Sequence, residues 1–443
     1  MATDRNLAVV VLAAGKGTRM ESDLPKVLHP LAGRPLIAHV MASLAALEPQ
    51  RIVVVVGPDM EDVTEAVAPA RTVVQDPQLG TGHAVLQARE ALSDFSGDVL
   101  VFYGDSPLFR PQTLATLVAA RGDAACAVLG FLPEGENQYG RLVTTTDGGL
   151  EAIVEWRDAD AATRALPLCN SGVVAADGAL LFELLDGVGN DNAKQEYYLT
   201  DMVAVAHARG LGCTFVEGDP EEVLGVNSRA ELALAEAAVQ SRLRAAAMAA
   251  GATLLDPDSV FFSFDTKLGR DVVVEPQVFF GPGTEIGDGV TVKAFSHIEG
   301  ARVAAGATIG PFARLRPETE IGPGARVGNF VEVKKSSIEA GAKVNHLTYI
   351  GDARVGERAN VGAGTITCNY DGFDKAFTDI GAGAFIGSNT ALVAPVKIGD
   401  GAIVGAGSAI TKDVEADALA VTRAPQTGRE GWAGRFRASK KGD

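Results

Sequence analysis

Cysteine, tryptophan and histidine are scarce in this chain: 443 residues hold 4 Cys, 2 Trp and 6 His. Cys126, Cys169, Cys213 and Cys368 lie far apart and form no CxxC pair, which argues against a disulfide framework or a cysteine metal site and for reduced, mostly buried thiols. Positive charge is also short. A formal net charge of −17 speaks against a nucleic-acid or anionic-membrane surface, while small anionic substrates stay compatible with locally gathered cations. No run reaches the roughly 18 to 20 apolar residues of a membrane span, and no cleavable signal pattern opens the chain, so a cytoplasmic protein is expected. Apolar residues make up 47%. With this length, two or three domains are expected.

Two patterns divide the chain. Up to about residue 225, apolar runs such as Leu7 to Val11, Arg51 to Val56 and Asp98 to Tyr103 alternate with amphipathic helical stretches such as Glu61 to Ala68. Continuous β-branched runs between helices predict an α/β domain whose mostly parallel sheet is covered on both faces. The ligand crevice of such a sheet lies at the carboxyl ends of its strands. Arg229 to Ala250, free of Gly and Pro, predicts a connecting helix.

From Leu268 the apolar residues recur every sixth position: Leu268, Val274, Phe280, Ile286, Val292 and Ile298. The beat slips by one residue and resumes through Val303, Ile309, Leu315, Ile321, Val327 and Val333. It continues in short blocks to Thr367, breaks at Asn369-Tyr370-Asp371-Gly372, and returns from Ile380 to Ile410. A hexapeptide beat with frequent glycine is the pattern of a parallel β-helix, whose apolar side chains point into a narrow prism. The expected organisation is a nucleotide-handling domain over 1–228, a connecting helix over 229–250 and a β-helix with a C-terminal arm over 251–443.

After the first strand the chain reads LAAGKGTRMESDLPKVLHP, from Leu12 to Pro30. A glycine-rich turn after a strand offers backbone N–H groups to a polyphosphate, and Lys16, Arg19 and Lys26 bring cations to it. The string resembles the signature of sugar-1-phosphate nucleotidyltransferases. Asp105 ends an apolar run, where a carboxylate can hold a hard Mg²⁺ or simply cap a turn. Asn227, just before the connecting helix, reads by itself as an N-cap.

Taken together the motifs resemble, over nearly the whole chain, the bacterial family of bifunctional N-acetylglucosamine-1-phosphate uridyltransferase/glucosamine-1-phosphate N-acetyltransferases. That resemblance implies a Rossmann-like nucleotidyltransferase domain and a left-handed β-helix. It implies that Leu12, Ala13, Ala14, Gly15, Lys26, Gln75, Gly80 and Thr81 bind the uridine nucleotide, with Arg19 and Lys26 as catalytic cations. Asp105 and Asn227 would hold Mg²⁺, and Gly140, Glu155 and Asn170 the N-acetylglucosamine moiety, with Tyr103 and Gly104 alongside. Ser106 and Trp156 depart from the residues expected beside Asp105 and Glu155.

In the β-helix half, Asn345-His346-Leu347-Thr348-Tyr349 sets one histidine among polar partners, and acetyl transfer to an amine needs a base of near-neutral pKa. The resemblance makes His346 that base. It assigns Arg316 and Lys334 to the phosphate of glucosamine-1-phosphate, and Tyr349 and Asn360 to its sugar. Asn369 and Tyr370 would position the acetyl group, and Ala363, Ser388, Ala406 and Arg423 would line the acetyl-CoA site. His29, His39, His83, His207 and His297 read as surface or core. The implied substrates are UTP, N-acetylglucosamine-1-phosphate, glucosamine-1-phosphate and acetyl-CoA. The implied product, UDP-N-acetylglucosamine, feeds peptidoglycan and lipopolysaccharide synthesis, and the implied assembly is a homotrimer whose neighbouring arm completes each acetyltransferase site. Two other readings stand beside this one: a single-activity nucleotidyltransferase with a regulatory or structural β-helix, and a non-catalytic assembly subunit.

Overall fold

The structure is a computed structural model that describes residues 6–146 and 148–441. The chain divides into two compact units, Met1–Ser241 and Arg242–Asp443, and the division falls inside one helix, Arg229–Ala249. Among the described residues no helix is long and apolar enough to cross a membrane.

The first unit is built on a nine-stranded sheet. Its strands are β1 (Leu7–Leu12), β2 (Arg51–Val56), β3 (Arg71–Val74), β4 (Asp98–Tyr103), β5 (Cys126–Phe131), β6 (Arg141–Thr144), β7 (Leu150–Val154), β8 (Cys169–Asp177) and β9 (Cys213–Glu217). The spatial order is β9-β5-β8-β4-β1-β2-β3, with β6 and β7 attached beside β8. Pairs β1–β2, β1–β4, β2–β3 and β5–β9 run parallel, whereas β8 runs antiparallel to β4 and β5. Val9 and Val11 face one buried cluster and Ala8 and Val10 another, so both faces of β1 are covered. That double burial is why these strands read as unbroken apolar runs. The helix starting at Glu61 stops at Ala66, two residues short of the amphipathic stretch.

The second unit is a parallel β-helix of two- and three-residue strands, apart from the 13-residue strands Arg326–Ile338 and Lys343–Val355, paired turn upon turn. Phe280, Ile298, Leu315, Val333, Ile350, Ile386 and Ile410 from the sixfold beat all lie in one buried cluster. The beat extends one step further back than Leu268, because Phe262, six positions earlier, already belongs to that cluster. At the break, Tyr370 pairs antiparallel with Lys375, and Asp371 accepts the amides of Phe373 (2.9 Å) and Asp374 (2.8 Å). The loop therefore leaves the coil and returns without disturbing the stacking on either side.

Candidate functional sites

In the first unit, the signature turn follows β1, Gln75 follows β3, and Tyr103 closes β4. These carboxyl ends meet in a cleft of about 300 Å³ lined by Leu12, Ala13, Ala14, Gly15, Lys26, Gln75, Gly80, Thr81, Tyr103 and Asp105, with Gln78 and Glu196. The amide of Gly104 donates to Leu12 O (2.9 Å), tying the end of β4 to the end of β1. Gln75 Nε2 donates to Gly80 O (2.9 Å), and Gln78 Nε2 to Ala14 O (2.5 Å). Gln78 falls within the segment from Gln75 to Thr81, which follows a strand and is expected at the crevice, whereas Glu196 is an addition to the sequence reading. Next to the cleft, His83 Nδ1 lies 3.2 Å from Gln75 Nε2. Arg19 is exposed on the turn Thr18–Met20, outside this lining.

Lys26 Nζ donates to Asp105 Oδ2 and to Asn227 Oδ1, the latter at 2.8 Å. Gly17 makes room for it. That residue has φ +62°, and a Cβ there would lie 2.6 Å from Lys26 Cβ, so only glycine lets the lysine stem pass. Asn227 is not the helix cap. The helix begins at Arg229, Ser228 Oγ accepts the Glu231 amide (3.3 Å), and Glu231 Oε2 accepts the Asn227 amide (2.8 Å). Ser228 and Glu231 satisfy the helix terminus, and the Asn227 side chain reaches Lys26 Nζ instead. Asp105 Oδ2 and Asn227 Oδ1 thus converge on a single cation, the Lys26 ammonium, and both are oxygen donors of the kind a hard divalent ion takes.

The residues expected at the sugar converge as well. Asn170 N donates to Gly140 O (2.8 Å), and Thr200 Oγ1 donates to Glu155 Oε1 (3.3 Å). Burial holds the Glu155 carboxyl above its ordinary range. Burial, followed by the charges of Glu155 and Asp105, pushes the Tyr103 phenol up. Tyr103 therefore lies within electrostatic reach of both the sugar group and the Asp105 group. Trp156 is packed between two cations, with the Arg141 and Arg164 guanidiniums 4.8 and 5.1 Å from its ring centroid.

In the β-helix the register brings distant residues into one column. Asn329 pairs with His346, Val344 with Val361, Val361 with Ile386, and Ile386 with Val404. Two residues beyond each of the last three pairs, His346, Ala363, Ser388 and Ala406 take equivalent corners of successive turns. Matching bonds confirm this register: Gly364 N to His346 O (3.3 Å), Asn389 N to Ala363 O (2.8 Å) and Gly407 N to Ser388 O (2.8 Å). Arg423 Nη1 donates to Ala406 O (2.5 Å) at the end of the column. His346 Nδ1 lies 2.7 Å from Asn329 Oδ1, so its Nδ1–H donates there and Nε2 is left as the basic nitrogen. Asn329, absent from the sequence reading, is one turn earlier and is found only through the register.

A cationic group lies nearby. Arg316 N bonds to Val333 O (2.9 Å), setting Arg316 beside Lys334, and Arg316 Nη1 donates to Glu332 Oε1 (2.9 Å). The buried Arg316 Nε has no hydrogen-bond partner among the described residues. Lys375, brought in by the loop, is the largest cause holding the Lys334 ammonium below its ordinary range, with Arg316 contributing. Crowded cations with an unsatisfied donor suit an anion such as a phosphate. Tyr349 folds over Gly351, where a Cβ would collide with its hydroxyl, and Gly351 is the register partner of Lys334. Asn369 Nδ2 donates to Asp352 Oδ2 (2.5 Å), while the exposed Tyr370 donates to Gly372 O (2.6 Å). Asn360 pairs with Lys343 and Phe385 on adjoining turns.

A strand-end phosphate cleft in an α/β unit and a base column on a β-helix define a nucleotidyltransferase joined to a hexapeptide-repeat transferase. A MobA-like NTP transferase domain matches residues 9–171, and the bacterial transferase hexapeptide pattern of six repeats matches residues 377–412. The chain is 63% identical over 437 residues to the bifunctional protein GlmU of Paramagnetospirillum magneticum, covering 98% of this chain and 97% of that one. The Rhodospirillum rubrum GlmU is 66% identical over 434 residues, covering 97% of each, and that of Xanthobacter autotrophicus 57% over 443 residues, covering 99% of each. The chain belongs to the GlmU family of bifunctional proteins.

Proposed function

We propose that this bifunctional UDP-N-acetylglucosamine-synthesising enzyme carries its uridyltransferase in residues 1–228 and its acetyltransferase in residues 251–443, joined by the helix over 229–250. The observation that carries the reading is a cluster of reactive side chains in each unit, Lys26 with Asp105 and Asn227 in the first, and Asn329 with His346 in the second.

In the acetyl transfer, the amine of glucosamine-1-phosphate gives a proton to His346 Nε2, and the amine nitrogen attacks the thioester carbon of acetyl-CoA. Asn329 holds the imidazole in the tautomer that leaves Nε2 basic. Arg316, Lys334 and Lys375 take the phosphate, with Tyr349 and Asn360 at the sugar and Asn369 and Tyr370 at the acetyl group. The backbone at Ala363, Ser388 and Ala406, with Arg423, carries acetyl-CoA and offers amide donors to the oxyanion of the tetrahedral intermediate. As that intermediate collapses, the imidazolium returns its proton to the departing thiolate.

In the uridylyl transfer, a phosphate oxygen of N-acetylglucosamine-1-phosphate attacks the α-phosphorus of UTP in line and pyrophosphate leaves. The phosphate dianion is itself the nucleophile, so no general base is required. Leu12 to Gly15 cradle the phosphates, Gln75, Gly80 and Thr81 hold the base, and Gly140, Glu155 and Asn170 hold the sugar, with Tyr103 and Gly104. The reaction is metal-dependent, and Asp105 and Asn227 are the residues that would hold Mg²⁺, which when bound neutralises charge on the phosphate oxygens. Arg19 and Lys26 add positive charge to the phosphates.

A cytoplasmic homotrimer fits this reading. Phe295, Phe312 and Phe330 stack with centroids 4.8 and 5.1 Å apart, and this exposed ladder continues to Leu347, next to His346. An apolar edge of this kind beside a reactive residue marks an association surface. The terminal helix Trp432–Lys440 buries none of its residues in its own chain, as expected of an arm that serves a neighbouring subunit.

The test is a coupled assay from glucosamine-1-phosphate, acetyl-CoA, UTP and Mg²⁺, omitting one component at a time. UDP-N-acetylglucosamine should form only in the complete mixture. Uridylylation without any acetyl-CoA-dependent activity would instead identify a single-activity nucleotidyltransferase with a regulatory β-helix.

A further inference from the structure

The Lys26 ammonium lies between Asp105 Oδ2 and Asn227 Oδ1, the same two oxygens assigned above to the metal. Its side chain is 11% exposed and that of Asp105 is 18% exposed, so the pair is shielded from solvent. The stem is held on one side by the Gly17 turn and starts from Pro25, which leaves the long tetramethylene arm as the movable part. In a partly buried site, two cations competing for one carboxylate repel each other strongly unless further negative charge arrives.

We propose that Lys26 is a placeholder for the metal: it occupies the Asp105–Asn227 oxygen pair and gives it up only when a triphosphate supplies a second anionic partner for the ammonium. This rests on the reading of Asp105 and Asn227 as metal ligands. The divalent ion is then disfavoured alone and favoured together with nucleotide. By linkage the nucleotide also binds more tightly with the ion than without it. One lysine thus serves two positions in turn, the oxygen pair and the polyphosphate.

The test is binding of Mn²⁺ alone, in the absence of nucleotide, to the full-length protein, followed by the electron paramagnetic resonance signal of the free ion. Lys26→Met removes the competing charge and should bind Mn²⁺ about tenfold or more tightly than the parent protein. Lys26→Gln, which keeps a polar group of similar reach, should shift the same way and serves if the methionine variant misfolds by circular dichroism. Asp105→Asn, alone or combined with Lys26→Met, should abolish the binding. If both Lys26 variants bind Mn²⁺ no more tightly than the parent while Asp105→Asn still abolishes binding, the placeholder is wrong and the ligand assignment stands. If Asp105→Asn binds Mn²⁺ as well as the parent does, the ligand assignment fails and the placeholder fails with it.

Discussion

In the first unit, Lys26, Asp105 and Asn227 come from a turn, a strand end and a helix approach, and meet only because the parallel strands of the sheet end on one side. In the β-helix, Asn329, His346, Ala363, Ser388 and Ala406 stack because each turn repeats the geometry of the one below. A convergent site is exposed to any shift among its three carriers. A columnar site inherits its geometry from the coil and varies only in what each corner presents. The first joins side chains from elements far apart in sequence, whereas the second presents one corner residue per turn.

The sharpest way to break the comparison is at the base. His346→Ala should lower acetyl transfer by roughly 10² to 10⁴-fold and leave uridylylation of supplied N-acetylglucosamine-1-phosphate within about twofold, measured as separate initial rates. A comparable loss of uridylylation in folded protein would mean that the sites are not independent. Lys375→Ala tests whether the loop completes the phosphate group. It should raise KM for glucosamine-1-phosphate by roughly tenfold or more with little change in kcat, since a charge-assisted contact shared by ground and transition states is lost. Asn329→Ala should reduce kcat of acetyl transfer about tenfold and alter its pH profile, with rescue by Asn329→Asp, because the imidazole loses the acceptor that fixes its tautomer. A purely structural role for Asn329 would leave the profile unmoved.

A smaller effect separates the units by stability. His39 is buried; Nε2–H donates to Leu31 O (2.7 Å), and Nδ1 lies 3.2 Å from Arg34 Nη2. Burial is the main cause that lowers its pKa to about 4, from an ordinary value near 6.5. Between those values the unfolded chain binds a proton that the folded chain refuses, so stability is full above about pH 6.5 and falls as pH drops towards 4. The loss from this residue should reach about 1–3 kcal/mol, and His39→Gln should remove that share of the slope; His29, lowered by burial, adds to the slope, and Asp201, raised by burial to about 6, opposes it. Thermal melts from pH 7 to 4.5 should show this in the first unit. His39→Gln should leave the melting of the second unit, which does not contain His39, unchanged over the same range.

Much of this comparison was legible in the residues. The sixfold beat named the prism-facing side chains because burial in a β-helix is strictly periodic, and Val333, Ile350 and Ile386 show it directly. The signature string marked the cradle because its glycine and lysine positions are local. Other features depend on groups that sequence distance hides. Asn329 is found only from the pairing register, and Lys375 only from the path of the loop. Asn227 looks like a cap until Ser228 and Glu231 are seen to satisfy the helix terminus. The Lys26 contacts are also hidden, since nothing in the string shows which of its three cations turns inward.

The central claim is that two independent sites in one chain act in sequence. It is tested most directly by ³¹P NMR of the complete reaction mixture with folded Asp105→Ala. Glucosamine-1-phosphate should be converted to N-acetylglucosamine-1-phosphate at close to the parent rate and stop there, with UTP unconsumed. Loss of acetylation in that variant, or continued formation of UDP-N-acetylglucosamine and pyrophosphate, would contradict the account.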